Sequence, residues 1–410
     1  MNRQAAAERA LHDQTNILPR GKLIVVFTGL AVSLLIAFID QNGISVTLPT
    51  VANDLDAQNS ISWAGTTSLI ANTMFTVLYG RLSDIFGRKI VFLSALGLLS
   101  IADLLCGFAQ NPAMFYVFRG MAGIGGGGVT SLAMIIVSDI VTLQERGKYQ
   151  GIIGAAIGLA NVIGPFIAAG FSMKATWRGF FWMLCPLLVI SIITSYIFIP
   201  KNKPKDGFRT NLKKIDYCGV LASSIAVIFI LLPISGGGSY FEWKSPMIIS
   251  MLVIGACSFV VFIFIEWKVA SLPMLPGMAL FHCVVQRHIK LTTIAVVFFK
   301  NKVLCALFLQ SFLLGAVYQS YLYYLPLYYQ NARGWSPIVS AALTAPMVGV
   351  QSCTSVLAGQ YISRMQRYGE VIWLGFATWT LYVCSVHPSI FFSNANKQIC
   401  MQGSRFNAAV

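Results

Sequence analysis

The sequence predicts an all-α membrane protein, a helical bundle with about eleven transmembrane helices. Three observations predict it. Hydrophobic residues make up 56% of the 410 and charged residues only 10%, against roughly 25% charged in soluble domains. The apolar residues come in runs that match a ~30 Å hydrocarbon core, which needs about 20 residues per helix. These runs lack the period-2 alternation of a membrane-barrel strand, which leaves helices.

Span one covers 23–47 and follows a polar stretch ending in Arg20. No small-residue cleavage site follows a short apolar stretch, so no cleaved signal peptide is expected and span one anchors the chain. The loop 48–62 has no Lys or Arg and carries Asp54 and Asp56. Span two, 63–80, leads into a basic turn with Arg81, Arg88 and Lys89. Spans three (90–109) and four (113–138) are joined by the uncharged 110–112. Arg146 and Lys148 introduce span five (149–171), and span six covers 180–199. The stretch from Lys201 to Lys214 holds six basic residues against Asp206 alone. Spans seven to eleven fall at 216–235, 247–266, 303–329, 338–361 and 370–386.

Basic residues thus gather in alternate loops, which places those loops and the N-terminus in the cytoplasm. The net charge of +15 would suggest nucleic acid in a soluble protein. Here loop placement accounts for it, and no nucleic-acid partner is expected. The chain divides into a cytoplasmic tail (1–22), an N-terminal six-helix half (23–200), a cytoplasmic basic loop (201–215) and an additional helix pair (216–276). A suspect insert (277–297), a partial C-terminal half (298–386) and an atypical tail (387–410) follow. Deleting Gly277 to Val296 would join a plausible loop directly to span nine, as a retained intron predicts. The alternative is a real interfacial segment. The tail abandons span eleven before it finishes.

Enzyme chemistry is not expected. Nine cysteines are scattered singly, so neither a disulfide framework nor a zinc site is predicted. No nucleophile–base pair, phosphate loop or metal cluster is present, and no cofactor is called for. His282 and His288 lie in the suspect insert and are given no role. Gly120, Gly123 and Gly125 to Gly128 sit inside an apolar run, with no strand before them. They read as close helix packing rather than a dinucleotide loop.

Intramembrane charges are costly and so mark function. Asp40 in span one, Asp103 in span three and Arg119 in span four each fall roughly 10–14 Å below the outer surface at ~1.5 Å per residue. Two carboxylates and an arginine at one depth can pair across helices and exchange a proton; a static ion pair is the alternative. Gln319 and Tyr323, four apart on span nine, share a face that can line a cavity, although tyrosines at that level usually form an interfacial belt. Asn72, Asn161, Gln310 and Gln351 are weaker pocket candidates, each able simply to bond a neighbouring helix.

One turn is more specific than a basic loop. Gly80, Asp84, Gly87, Arg88 and Lys89 form G-x3-D-x2-G-R-K between spans two and three. The glycines would let helix ends approach, Asp84 would meet a helix N-terminus, and the basic pair would engage carboxylates. With this motif the sequence resembles the major facilitator superfamily. Arg119 with Gly123 is similar to that family's span-four motif. Gly154, Gly158, Gly164 and Pro165 resemble the span-five motif of its antiporters, with Pro165 adding a kink. Asp40 with Leu48 and Pro49, and Trp177 to Trp182 before span six, resemble the fourteen-span drug:proton antiporters, fungal members most of all.

The resemblance covers roughly 23–276 and 298–382. It departs at Asn42, Thr47, Ala168 and Ala169, where that subfamily's motifs have other residues. A fourteen-span member would carry three more helices, so the resemblance implies a C-terminally incomplete chain. It implies a major facilitator-like bundle that exports small amphipathic or cationic molecules by alternating access in exchange for protons. The protein is then expected as a multi-pass monomer in the lipid bilayer of the plasma membrane, with the vacuolar membrane as alternative. Competing readings are a permease for amino acids or iron chelates, and an inactive truncated product.

Overall fold

This computed structural model describes residues 19–142, 145–200, 217–238, 242–268, 302–365 and 369–378. The basic loop 201–215, the insert 277–297 and the tail 387–410 lie outside them. Ten long helices follow one another among the described residues: α1 (Arg20–Asp54), α2 (Ser62–Phe86), α3 (Arg88–Gly107), α4 (Pro112–Ile140), α5 (Arg146–Lys174), α6 (Trp177–Phe198), α7 (Tyr217–Gly236), α8 (Pro246–Lys268), α9 (Lys302–Asn331) and α10 (Pro337–Met365). Residues 369–378 are also helical, the described part of span eleven. The architecture is the all-helical one the sequence predicts.

Nine of the described helices are long and apolar enough to cross a membrane. The tenth, α2, is diluted by Thr66, Thr67, Ser68, Asn72, Thr73 and Thr76. Three of its threonines donate back to their own helix: Thr67 to Trp63 O (2.8 Å), Thr73 to Leu69 O (2.9 Å) and Thr76 to Asn72 O (2.7 Å). Such bonds satisfy hydroxyls where water is absent. Along its length α2 packs against α4, from Ser68 beside Gly123 to Tyr79 beside Gly128.

Helix α1 outruns its window. It continues through Pro49 to Asp54, 35 residues in all, about 52 Å at ~1.5 Å per residue, which exceeds the hydrocarbon core. At its C-terminal end Asp54 accepts from Trp177 Nε1 (3.1 Å) and Arg178 (2.7 Å), and Arg178 also donates to Ala109 O (3.3 Å). One cluster therefore ties the C-terminal ends of α1 and α3 to the N-terminal end of α6.

The opposite ends are tied separately. Arg88 bridges Asp84 (2.5 Å) and Asp139 at the end of α4 (3.0 Å). Lys89, 7% exposed, donates to Tyr196 O (2.5 Å) and Ile199 O (2.7 Å). These carbonyls form the negative end of the α6 dipole, a partner of a different kind from the carboxylates expected. Asp84 departs as well: no side chain caps α3, and Asp84 instead meets the guanidiniums of Arg81 (3.8 Å) and Arg88. The arginine fork comes within reach of the carboxylate before the helix N–H groups do. Gly87 makes the turn with φ +97°, a conformation that a side chain would strain. Gly80 is roomier, with only Ile135 near where a Cβ would stand.

The packed centre belongs to α1–α6, where Phe92, Leu96, Leu99, Phe115, Leu132 and Phe180 are fully buried. Helix α4 enters it glycine-first. A Cβ on Gly125 would lie 2.7 Å from Leu99 N on α3, and one on Gly127 would lie 2.7 Å from Asn72 O on α2. The glycine run thus serves two neighbours at once, as close packing requires. Helices α7 and α8 pair with each other, and α7 touches α2, where Thr66 and Ser235 hydroxyls are 3.3 Å apart.

Candidate functional site

Helices α1, α3 and α4 bring Asp40, Asp103 and Arg119 together. Arg119 Nη1 is 2.6 Å from Asp40 Oδ1 and 3.9 Å from Asp103 Oδ1. All three are buried, Arg119 and Asp103 completely. Arg119 Nη2 also reaches Ser68 Oγ on α2 at 3.5 Å, and the Phe181 ring of α6 lies 5.7 Å from its Cζ. Neither oxygen of Asp103, nor Arg119 Nε, has a hydrogen-bond partner. The convergence does not arise from equal distances to the helix ends. Because α1 runs on to Asp54, Asp40 lies nearer mid-helix than its window suggests.

Arg119 also forms part of a cavity wall, with Gln41, Asn42, Ser45, Ser68 and Gln319 as polar neighbours and Ile44, Leu69 and Leu322 as apolar ones. Gln319 therefore faces the cavity, as its position on span nine suggests. The Tyr323 side chain lies outside the described residues.

A second polar array crosses from the early helices to the late ones. Asn42 on α1 donates to Asn161 Oδ1 on α5 (2.7 Å), and Asn161 donates to the Tyr318 hydroxyl on α9 (2.9 Å). Tyr318 then donates to Gln351 Oε1 on α10 (2.8 Å). Asn161 and Gln351 were expected only as weak candidates, Asn42 only as a departure from a motif, and Tyr318 not at all. Near the middle of α9, Tyr318 is too deep for an interfacial belt, and that depth is the signal that could have found it. Asn72 lies elsewhere, its amide beside Gly126 and its backbone against Gly127, where it joins α2 to α4. Gln310 is half-buried, eight residues below Tyr318 on α9.

The glycines of α5 serve two contacts. A Cβ on Gly151 would lie 2.7 Å from Ser355 O of α10, while Gly154 and Gly158 abut the hydroxyls of Ser355 and Ser352. Ser355 Oγ donates to Gly151 O (3.2 Å). Gly164 faces α1 instead, where a Cβ would lie 3.1 Å from Ile39 O. Pro165 is buried beside it. Among the described residues no cluster of His, Cys, Asp and Glu could hold a metal ion.

Comparison with known proteins agrees with this architecture. The sequence model of the Major Facilitator Superfamily matches residues 30–396. Citrate exporter 1 of Yarrowia lipolytica is 49% identical over 371 residues, which is 90% of this chain and 52% of that protein. The MFS-type transporter clz4 of Cochliobolus lunatus is 44% identical over 369 residues, 90% of this chain and 63% of the relative. Efflux pump dotC of Dothistroma septosporum is 28% identical over 359 residues, 88% and 59% respectively. The chain thus spans between half and two-thirds of the length of these relatives. Among solved structures, the proton:xylose symporter XylE shares the fold with a TM-score of 0.54 at 15% identity, covering 85% of this chain and 70% of that one.

Proposed function

The chain belongs to the Major Facilitator Superfamily, and on that premise we propose that it exports a small organic anion by alternating access, in exchange for protons. Membership makes it an integral multi-pass membrane transporter with a small-molecule substrate, and not an enzyme. The anion is the finer step. The observation that carries it is Arg119, the only charged side chain among the described residues of the cavity wall, with its Nε unpaired. An anion arriving there would find a guanidinium already desolvated, where charge-assisted bonds are strong. The name of Citrate exporter 1 supports the same class.

Coupling rests on the same residues. Two carboxylates and one guanidinium can share one proton, so an anion that competes for Arg119 changes how tightly that proton is held. The fork of Arg119 matters, because an ammonium would act only as a point charge. The two halves would rock about this midplane region, as a monomer in the plasma membrane.

A second reading, export of amphipathic or cationic molecules, draws on the apolar wall of Ile44, Leu69 and Leu322 and on the relative named as an efflux pump. Proteoliposomes loaded with citrate separate the two. Acid outside should accelerate citrate loss through the purified protein. Citrate loss indifferent to outside pH, with a lipophilic cation moving instead, overturns the anion reading.

A further inference from the structure

The two carboxylates that share Arg119 are not equivalent. Asp40 holds the guanidinium at 2.6 Å, whereas Asp103 stands 3.9 Å from the same nitrogen, fully buried, with neither oxygen hydrogen-bonded. The groups facing Asp103 are Asp40 from α1, Arg119 from α4 and the Cys185 thiol from α6. On its own helix Cys106, also fully buried, is one turn away. This surround contains one cation and two carboxyl groups. With both carboxyls ionised the cluster would carry a net negative charge, and two buried acceptors would lack donors. A buried group in that position takes a proton rather than remain charged. Protonated, Asp103 becomes a donor, and Asp40 is the carboxylate that shares Arg119 Nη1 with it.

We propose that Asp103, rather than Asp40, carries the proton in this state and is where the transported proton is exchanged. This rests on the proton-coupled reading above. In the exchange the Asp103 O–H bond breaks and the proton passes to water, with no other covalent change. The new carboxylate then competes with Asp40 for Arg119. Closing the 3.9 Å gap would draw the guanidinium across the cavity wall, so Arg119 is the positioning residue that reports the proton's departure to the substrate.

Infrared spectroscopy of the purified protein in lipid reads this proton directly, as the carbonyl stretch of a neutral carboxylic acid. The band should be present near neutral pH, shift in Asp103→Glu, stay in place in Asp40→Glu, and vanish in Asp103→Asn. Because a longer side chain can disturb packing, Asp103→Asn supplies a second measurement. As an isostere of the neutral acid it should retain wild-type thermal stability, while losing at least tenfold of the acceleration of citrate export by outside acid. A band that shifts with Asp40→Glu, survives Asp103→Asn, or is absent from the wild type overturns the assignment. A band that follows Asp103 while wild-type citrate export ignores outside pH leaves the proton on Asp103 and overturns the coupling instead.

Discussion

Around Arg119 the charged groups are buried and confined to α1, α3 and α4, whereas from Asn42 to Gln351 the polar groups are neutral, run through α1, α5, α9 and α10, and end on an exposed residue. The difference follows from what each must survive. Breaking a buried ion pair costs about 3–5 kcal/mol, so charges suit a region that stays assembled. Neutral hydrogen bonds between membrane helices average about 0.6 kcal/mol, so amides and a phenol would suit a junction that opens and re-forms in the proposed alternating access. Glycine follows the same division. On α4 it locks into α2 and α3 of the packed centre, and on α5 it meets the serines of α10.

The sharpest way to break this contrast is Arg119→Leu. The Asp40 carboxylate would then lack its counter-ion, and the protein should lose about 3–5 kcal/mol of stability, read as denaturant resistance in detergent. A stable Arg119→Leu protein would mean that the charges do not hold the early helices. Arg119→Lys should keep much of the stability and lose transport, because the two-pronged contact disappears. Next comes Gly125→Leu, which would overpack α4 against the Leu99 backbone and cost about 1–3 kcal/mol. Gly154→Leu, by contrast, should leave the unfolding midpoint of α1–α4 unchanged and slow transport. If the two glycine variants behave alike, the proposed junction is as rigid as the centre.

Asp40→Asn should insert normally and lose acceleration of export by acid, since Asp103 then ionises to pair with Arg119. Normal pH-dependent exchange in proteoliposomes would clear Asp40 of any part in coupling. The smallest effect is expected from Tyr318→Phe. Losing two bonds worth about 0.6 kcal/mol each should shift the balance between transport states roughly eightfold without changing stability. A large loss of stability would place Tyr318 in the permanent core.

The charged centre was legible because a charge inside an apolar run has few bland explanations, although the matched depths that grouped the three residues do not hold once α1 runs on to Asp54. The amide array was less so. Depth along a span says nothing of which way a side chain faces, and that is why Asn161 and Gln351 ranked with Asn72, which turned out to face the glycines of α4. Tyr318 was hidden by its neighbours, because Tyr321 to Tyr329 made the whole stretch read as an interfacial belt. Lys89 was misjudged for another reason. Its partners are backbone carbonyls at the end of α6, and every helix end offers those, so no residue type announces them. The long extension of α1 was concealed by Pro49, which usually marks an end.

The contact of α5 with α10 has a consequence for the entropy of any motion that separates them. Gly151, Gly154, Gly158 and Gly359 have no side-chain torsions, and Ser352 and Ser355 have one short side chain each. A seam of leucines or methionines would lose on the order of 0.5–2 kcal/mol of rotamer freedom per residue whenever it closed. Here almost nothing has to be frozen, so the two helices can meet and part many times with little change in side-chain order. The speed of such a seam is then governed by backbone fit and by the Ser355–Gly151 bond, and a single added methyl group should slow it more than the loss of that hydroxyl.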